Sequence, residues 1–462
     1  MTPPMRTARL AEVDLPDFGM PSEQPIIPDN IYATRAILFA QLLEDLRLDC
    51  ALVYADREHS ANLSYLTGFD PRFEEAILIV TPGRAPVILV GNECWGTAGA
   101  APLPMDRVLF QDLSLPGQPR DRSRPLGEIL RDAGIGPGRR VGVVGWKTYD
   151  RPDQTDLPAY LVDELRALTG ADGEVVNVTG LLIDAGRGMR VVNEVEQLAL
   201  MEWAACQTSS GVLRLLRGLR PGEQTEREAV ALLGWNGWPL SCHLMLTAGE
   251  RATFGLLSPG DRVIERGDRF TTAYGIWGAL NCRAGFVVED GSELPDGIRD
   301  YVERLVGPYF AAIAEWYGAL RIGQTGGELH AIVDRHLGDP FFGIFLNPGH
   351  QIHLDEWVNS PISSGSTTEL RSGMAFQVDV IPATGSDYFT TNIEDGIALA
   401  DASLRETFAA TYPDAWRRIE ARRAFMANTL GIDLHPDVLP FSNIPAWLPP
   451  FLLGTGRAMT IG

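Results

Sequence analysis

The stretch from Asn347 to Asp401 decides how the rest of the chain is interpreted. It opens with NPGHQIHLDEW (347–357), continues through ELRSGMAFQVDVIP (369–382) and closes with TTNIEDGIALAD (390–401). The second and third parts each contain a short, mostly apolar run, AFQVDVI and NIEDGIAL, of the length that is typical of buried strands. This stretch therefore predicts neighbouring strands near the end of an α/β chain.

Polar residues interrupt these apolar runs at informative places. Two histidines, His350 and His353, lie three residues apart, and Asp379 and Glu394 each stand inside one of the runs. Burying an unpaired carboxylate is costly, so an acid in a buried strand needs a partner or a function. A histidine with two such carboxylates predicts a metal site or an acid–base site. The alternative is two strands whose acids pair with arginines.

The amino-acid composition limits the kinds of partner and compartment that we expect for this protein. The 462 residues carry 60 acidic and 39 basic side chains, a net charge of −21, which argues against nucleic-acid and anionic-membrane partners because both require basic surface. The N-terminus lacks the apolar core of a signal peptide. Five scattered cysteines without a CxxC spacing indicate reduced thiols, and together these features predict a cytoplasmic protein.

The first part of the chain predicts an N-terminal arm followed by an α/β domain. Residues 1–30 are Pro-rich and aperiodic, and are expected to form an extended arm. Strand-like and helix-like segments alternate over residues 31–185, with a tight PGRAP turn between two strands, which favours a mixed sheet. No G-x-G-x-x-G follows a strand, so a dinucleotide site is not indicated.

The second part predicts a catalytic domain over residues 186–402 and a C-terminal extension over residues 403–462. A long amphipathic helix follows the domain boundary near residue 185, and another is expected from about 294 to 320. The extension should consist of one helix and an aromatic and Pro-rich tail. That tail is expected to pack on the catalytic domain, as a lid or as a contact with a partner subunit.

At this point the chain resembles the "pita-bread" superfamily of creatinase, prolidase and aminopeptidase P. LDCALVYADREHSANLSYLTGFDPRFEEAILIV (48–80) is similar to a creatinase-type N-terminal domain, and MRVVNEVEQLALMEWAA (189–205) to the entry helix of the next domain. GERATF, GDRF, NPGHQIHLDEW, LRSGMAFQVDVIP and NIEDGIAL then occur in the family's order. The resemblance implies a creatinase-like domain followed by a pita-bread domain.

The resemblance also implies which residues occupy the family's metal-ligand positions. The peptidases of this family bind two divalent ions through two aspartates, a histidine and two further acids. His350, Asp379 and Glu394 match the histidine and the two acids, whereas the two aspartate positions fall at Ala273 and at or next to Cys282. Without a bridging carboxylate, two adjacent dications would repel each other strongly. A dinuclear centre is therefore not expected.

Two interpretations of cofactor use remain open. The first is a site with no metal cofactor. The alternative is one divalent metal ion, Mn, Zn or Fe, bound by His350, Asp379 and Glu394, because one imidazole and two carboxylates suit these ions. A histidine elsewhere in the peptidase site is also replaced, by Trp357, which we expect to contact the substrate.

Several further residues are candidates for catalysis or substrate binding. His353 replaces a family glycine and adds a second imidazole near His350, where it could move protons; one of the two histidines could instead be structural. Arg72 stands near the carboxylate-binding arginine of creatinase, although a surface ion pair explains it equally well. His243, Cys282 and Arg283 are candidate substrate contacts, and Cys282 could be a nucleophile if an adjacent histidine lowered its pKa. The alternatives are a structural histidine at His243 and a small filler at Cys282, of which the filler is preferred.

Three functions compete at this stage. The first is a creatinase-like hydrolase that cleaves a C–N bond of the amide, amidine or urea type in a small polar molecule. The second is an Xaa-Pro dipeptidase or aminopeptidase with a single metal ion, and the third is an inactive ligand- or peptide-binding protein. The resemblance also implies a homodimer.

Overall fold

A computed structural model describes residues 7–462, so residues 1–6 of the predicted arm lie outside the described part of the chain. The chain forms two compact units. The N-terminal unit comprises Ile27–Arg190, and the C-terminal unit comprises Val191–Gly462 together with the residues before Ile27. In place of an extended arm, the described N-terminal residues contain strand β1 (Ala8–Glu12), which pairs with a strand near residue 460.

The N-terminal unit is built on one six-stranded mixed sheet. Its elements are α1 (Asp29–Asp45), β2 (Cys50–Ala55), α2 (Ala61–Thr67), β3 (Ala76–Val80), β4 (Val87–Val90), α3 (Cys94–Ala98), β5 (Asp106–Leu109), α4 (Leu126–Asp132), β6 (Arg140–Val144), α5 (Ala159–Thr169), β7 (Glu174–Asn177) and α6 (Gly180–Ile183). The strand order is β5-β4-β3-β2-β6-β7, and β3 runs antiparallel to both of its neighbours. The predicted mixed sheet is confirmed.

The C-terminal unit contains the stretch from Asn347 to Asp401. Its elements are α7 (Val195–Arg217), α8 (Glu226–Val230), β8 (Met245–Ala248), β9 (Arg269–Ile276), β10 (Ala279–Phe286), α9 (Gly307–Ala319), α10 (Gly326–Leu337), β11 (His350–Gln351), β12 (Ala375–Asp379), β13 (Asn392–Leu399), α11 (Ala402–Thr411), α12 (Pro413–Asn428), β14 (Val438–Pro440) and β15 (Arg457–Ile461). Short 3₁₀ helices span Gln111–Leu113, Ala231–Leu233, Gly249–Phe254, Gly291–Glu293 and Asp296–Ile298.

One antiparallel sheet organises this unit. Its strand order is β11-β12-β13-β10-β9-β8, with β14 also paired to β13, while β1 and β15 form a separate two-stranded sheet. Helix α7 covers one face of the large sheet, where Thr208 donates a hydrogen bond to Asn281 of β10 at 2.6 Å. Cys282, the next residue of β10, projects from the opposite face together with Glu394 and Asp379.

Two helix predictions need correction. The single helix expected after residue 402 is two helices, α11 and α12, because Pro413 starts a new helix and cannot continue the previous one. The helix expected from about 294 to 320 begins with a π-helical turn at Val302–Val306 and becomes α-helical only from Gly307.

The aromatic residues of the tail and most of the cysteines are buried. The tail aromatics Phe441, Trp447 and Phe451 are buried within the C-terminal unit. None of the five cysteines takes part in a disulfide. Between residues 7 and 462, no helix combines the length and the apolar character that a membrane crossing requires.

Candidate active site

One row of side chains crosses the sheet of the C-terminal unit. Met245 of β8 pairs with Ala273 of β9, Ala273 with Cys282 of β10, Cys282 with Glu394 of β13, and Glu394 with Asp379 of β12. Directly paired residues of antiparallel strands project from the same face of a sheet. The row is therefore apolar over its first three strands and acidic over the last two.

The acidic end of this row meets a histidine. Nε2 of His350 lies 3.4 Å from Oε1 of Glu394, 4.0 Å from Oδ2 of Asp379 and 3.2 Å from Oε1 of Glu356. The His350 side chain is completely buried, and those of Asp379 and Glu394 are 8% and 7% exposed. Three carboxylates thus surround one imidazole nitrogen in a nearly dry environment.

Burial and charge shift the pKa values of this cluster together. Burial by itself would lower the pKa of His350, but the nearby carboxylates of Glu356 and Glu394 outweigh it and raise the pKa well above the usual value. Burial raises the pKa of Asp379 to about 6. Burial, followed by repulsion from Asp379, raises the pKa of Glu394 well above its usual value. The group therefore holds protons more tightly than isolated side chains do.

The same atoms suit one metal ion. Ligand atoms of His350, Asp379 and Glu394 all lie within 4.8 Å of one another, and this is the one such group that residues 7–462 contain. Nε2 of His350 and Oε1 of Glu394, although 3.4 Å apart, do not meet hydrogen-bond geometry, and neither they nor Oδ1 of Asp379 has a geometrically regular hydrogen-bond partner among the described residues. One imidazole and two carboxylates are ordinary ligands for Zn²⁺, Mn²⁺ or Fe²⁺.

A pair of metal ions does not fit this site. Ala273 and Cys282 occupy the two positions where the resemblance implies aspartates, and they belong to a small apolar cluster with Leu280, against which Cys242 and Met245 pack. This cluster offers no carboxylate to bridge and neutralise a second dication.

Two neighbours of His350 shape the site. The Trp357 indole stacks on the His350 imidazole, with 4.1 Å between ring centroids and an interplanar angle of 19°. Glu356, which immediately precedes it, was not among the predicted site residues, although it is the carboxylate nearest to His350. The sequence HLDEW contains it, but only the loop conformation after β11 turns it back onto the imidazole.

His353 lies in the same loop and is completely buried. Its backbone N–H donates to the Asp355 carbonyl at 3.3 Å. It does not belong to the compact group that His350 forms with Asp379 and Glu394. Its role as a second proton-transfer group remains a prediction.

The structure contradicts the expected role of Arg283. Because neighbouring residues of a strand face opposite sides, Arg283 lies on the face away from Cys282. Its guanidinium is completely buried, pairs with Asp395 at 2.9 Å, and donates to the carbonyls of Cys282, Ile444 and Trp447. Arg283 therefore holds the tail against the sheet and is not available to a substrate.

Cys282 faces the candidate site but is a poor nucleophile. Burial, together with repulsion from Glu394 and Asp379, raises the pKa of its thiol well above the usual value. Its sulfur accepts a hydrogen bond from Nδ2 of Asn392 at 3.3 Å. A thiol that remains protonated is an apolar surface rather than an attacking group.

The remaining candidates lie elsewhere. His243 is exposed, and its Nε2 lies 2.7 Å from the carbonyl oxygen of Leu256. Arg72 belongs to the N-terminal unit, where it pairs with Asp70 at 3.0 Å. Neither residue belongs to the compact group around His350.

Comparisons with known proteins agree with this architecture. Residues 38–192 match the family described as the Creatinase/Prolidase N-terminal domain. No match was found among curated proteins. Among solved structures, the chain is similar to a prolidase from Pyrococcus horikoshii OT3, with 17% identity, a TM-score of 0.62, and coverage of 80% of this chain and 95% of the other.

Two further structures show the same similarity. A recombinant prolidase from Thermococcus sibiricus has 17% identity and a TM-score of 0.64, with 80% of this chain and 95% of the other covered. An X-Pro aminopeptidase from Thermotoga maritima MSB8 has 16% identity and a TM-score of 0.61, with 79% and 95% covered. With its N-terminal domain match, the chain has the pita-bread fold of the creatinase, prolidase and aminopeptidase P superfamily.

Proposed function

We propose that this chain is a hydrolase that cleaves a C–N bond of the amide, amidine or urea type in a small polar molecule, without a dinuclear metal centre. The observation that supports it best is the row across the sheet. This row retains carboxylates at Glu394 and Asp379, next to His350, and has none at Ala273 and Cys282. The acid–base groups of a hydrolase are present, while the bridging ligands of a metal pair are absent.

His350 is the residue that transfers protons in this proposal. Its Nδ1 lies 3.2 Å from the Gln351 carbonyl, so Nε2 is the nitrogen that faces Glu356 and Glu394. A nitrogen facing carboxylate oxygens is stable when it carries a proton. Water attacks the carbon of the C–N bond, the bond to nitrogen breaks, and the departing nitrogen takes the Nε2 proton, which the attacking water then replaces. Asp379 and Glu394 bind and orient the substrate's C–N group, and His353 is a further candidate for proton transfer.

The second candidate function is an Xaa-Pro dipeptidase or aminopeptidase that uses one divalent ion. It is favoured by the spacing of His350, Asp379 and Glu394, whose ligand atoms lie within 4.8 Å of one another. When bound, such an ion would polarise the scissile carbonyl. The substrate contacts of Trp357 and the proton transfer of His353 would be shared by both functions.

Metal content and activity separate these two functions. Purified full-length protein is analysed for Mn, Zn and Fe, then treated with chelator and assayed on Xaa-Pro dipeptides and on small amidine, urea and amide compounds. We expect less than one ion per chain and activity that survives chelation. Activity that is lost with the chelator and restored only by added metal would overturn the metal-free version and support the second candidate.

A binding protein without catalysis is the third possibility. Turnover in the parent protein and its loss in His350→Ala would support the hydrolase. A ligand that binds both forms equally, with turnover by neither, would establish binding without catalysis.

We further propose that the chain acts as a homodimer in the cytoplasm, with the N-terminal unit of each subunit contributing to the partner's site. Family resemblance supports this proposal, and Arg72, whose side chain is 24% exposed and pairs with Asp70, is the residue of that unit that we propose for binding a substrate carboxylate. Light scattering coupled to size-exclusion chromatography should give twice the 50.5 kDa mass of one chain. A mass of one chain at micromolar concentration would contradict the dimer.

A further inference from the structure

The apolar half of the row across the sheet has no role in the proposed proton transfers. Met245, Ala273 and Cys282 follow one another on adjacent strands, on the same face as Glu394 and Asp379. Ala273 is 7% and Cys282 6% exposed, so both lie just beneath the surface of that face. Ala273, between Met245 and Cys282, carries the smallest side chain of the row.

Unpartnered polar groups border this apolar strip, which we define as Met245, Ala273 and Cys282. Asn392 is two residues before Glu394 on β13 and therefore projects from the same face. Its Nδ2 donates to the Cys282 sulfur, but its Oδ1 has no hydrogen-bond partner among the described residues, and only 3% of the residue is exposed. Thr247 lies two residues after Met245, and its Oγ1 also has no hydrogen-bond partner among residues 7–462. Buried polar atoms without a protein partner are rare in folded proteins, and a bound ligand or an ordered water can supply the partner.

The carboxylates at the other end of the row indicate the charge of a ligand that this site would bind. Asp379, Glu394 and Glu356 place three carboxylates around the single imidazole of His350. Such a cluster attracts a positive charge, which either a cationic nitrogen of the ligand or a divalent metal ion can supply. Neighbouring strands are about 4.8 Å apart, so Cys282 lies about 5 Å and Ala273 about 10 Å from the line of Glu394.

From this arrangement we infer that the site takes an amphipathic amine: a molecule with a cationic nitrogen at the His350 cluster and an unbranched apolar tail lying over Cys282 and Ala273 toward Met245. The inference rests on the proposed use of the His350 cluster as the ligand-binding site. It extends that proposal by naming the substrate class and the residues that select the tail. Among the small molecules of that proposal, it selects those that combine a cationic nitrogen with a short apolar tail, which would contact the apolar strip.

The test measures binding rather than turnover. Full-length protein freed of metal by chelator is titrated by isothermal calorimetry with methyl-, propyl-, pentyl- and heptylammonium chloride. We expect the affinity to rise about two- to fourfold for each added methylene, as burial of apolar groups predicts, until the tail covers Ala273 and then to stop rising. An affinity that does not depend on chain length would overturn the inference.

Substitutions in the apolar strip test whether the strip causes the dependence of affinity on chain length. Ala273→Leu puts a bulky side chain where the tail would lie, so pentylammonium should bind no more tightly than methylammonium, whose own affinity should stay unchanged. Ala402→Leu, at the exposed start of α11, makes the same side-chain change outside the site and should keep the chain-length dependence. An Ala273→Leu protein that folds and keeps the full dependence would overturn the inference. If circular dichroism shows that this variant does not fold, Cys282→Ser replaces it and should reduce the gain per methylene.

Two further measurements test the head group. Glu394→Gln should weaken the whole series by one common factor, because it removes charge at the head and leaves the strip intact. Mn²⁺ added to the parent protein should weaken the binding of every alkylammonium ion by one common factor. A change in the chain-length dependence, with Glu394→Gln or with Mn²⁺, would contradict separate binding of the head group and the tail. If the series binds as expected but no C–N compound is hydrolysed, the proposed hydrolase fails and the ligand class stands.

Discussion

Cys282 and Glu394 lie directly opposite each other on strands β10 and β13. This pair is where the row across the sheet changes from apolar to acidic. The Cys282 sulfhydryl belongs to the apolar cluster with Ala273 and Leu280, whereas Glu394 faces the imidazole of His350. Carboxylates therefore stand on one side of this pair, at Glu394 and Asp379, and small apolar side chains on the other, at Cys282 and Ala273.

Replacing His350 should abolish most activity. In His350→Gln the proton carried at Nε2 is lost, so we expect the rate of C–N hydrolysis to fall about 10²- to 10⁴-fold, the usual contribution of acid–base catalysis. Steady-state kinetics on whichever C–N compound the parent hydrolyses measures this. His435→Gln is the matched control, because His435 is exposed and pairs with Asp437 away from the cluster. Equal losses in both variants would contradict the assignment.

Removing the charge of Asp379 should stabilise the protein at high pH. Burial raises the pKa of Asp379 to about 6 from 3.8, so the folded protein binds a proton that the unfolded chain releases between these values. Stability from this group is therefore present at low pH and is lost as pH rises through about 6. Above pH 7, Asp379→Asn should be more stable than the parent by on the order of 2 kcal/mol.

Urea unfolding at pH 4.5 and pH 8 measures this difference. Asp414→Asn, at an exposed pair with Arg417, should show no such gain at either pH. A lower stability of Asp379→Asn at pH 8 would show that the buried carboxylate stabilises the fold in its charged form.

Arg283 should be essential for stability. Arg283→Met leaves Asp395 buried and without its charged partner, so we expect a loss of about 3–5 kcal/mol in the free energy of unfolding. Arg283→Met combined with Asp395→Leu should recover much of this loss. Arg417→Met breaks an exposed pair and should cost less than about 1 kcal/mol. Wild-type stability in the single Arg283 variant would favour a substrate-binding role after all.

The cysteines should differ in reactivity. Cys242 is partly exposed, whereas Cys282 and the other three are buried. Burial raises the pKa of Cys282 well above the usual value, that of Cys94 to about 11 and those of Cys50 and Cys206 to about 12. Iodoacetamide at pH 8 should therefore modify Cys242 first, as peptide mass spectrometry can measure. In urea all five should react, and rapid native labelling of Cys282 would contradict its assignment as a protonated thiol.

Local patterns predicted much of the fold. Apolar runs identified the mixed sheet of the N-terminal unit and strands β12 and β13, since buried strands leave a clear signal in sequence. The acids Asp379 and Glu394 stood out because charges are unusual in such runs. The structure brings both within reach of His350.

The failures have physical causes of two kinds. Glu356 was missed because its position depends on a loop, where sequence spacing does not determine side-chain direction. Arg283 was assigned to the site although the alternation of a strand places it on the opposite face from Cys282. The break at Pro413 had a local signal, whereas the pairing of β1 with β15 had none, because it joins distant parts of the chain.

The pairing of β1 with β15 constrains the order in which parts of the chain can fold during synthesis. Arg9 and Thr460 meet across the two strands although they are 451 positions apart. During synthesis β1 is made first and cannot pair until β15 has been made. The N-terminal unit consists of Ile27–Arg190, between these two strands in sequence, and can fold before β1 and β15 pair. A nascent chain that stalls before Arg457 therefore displays β1 as an unsatisfied strand edge, which chaperones and proteases can recognise.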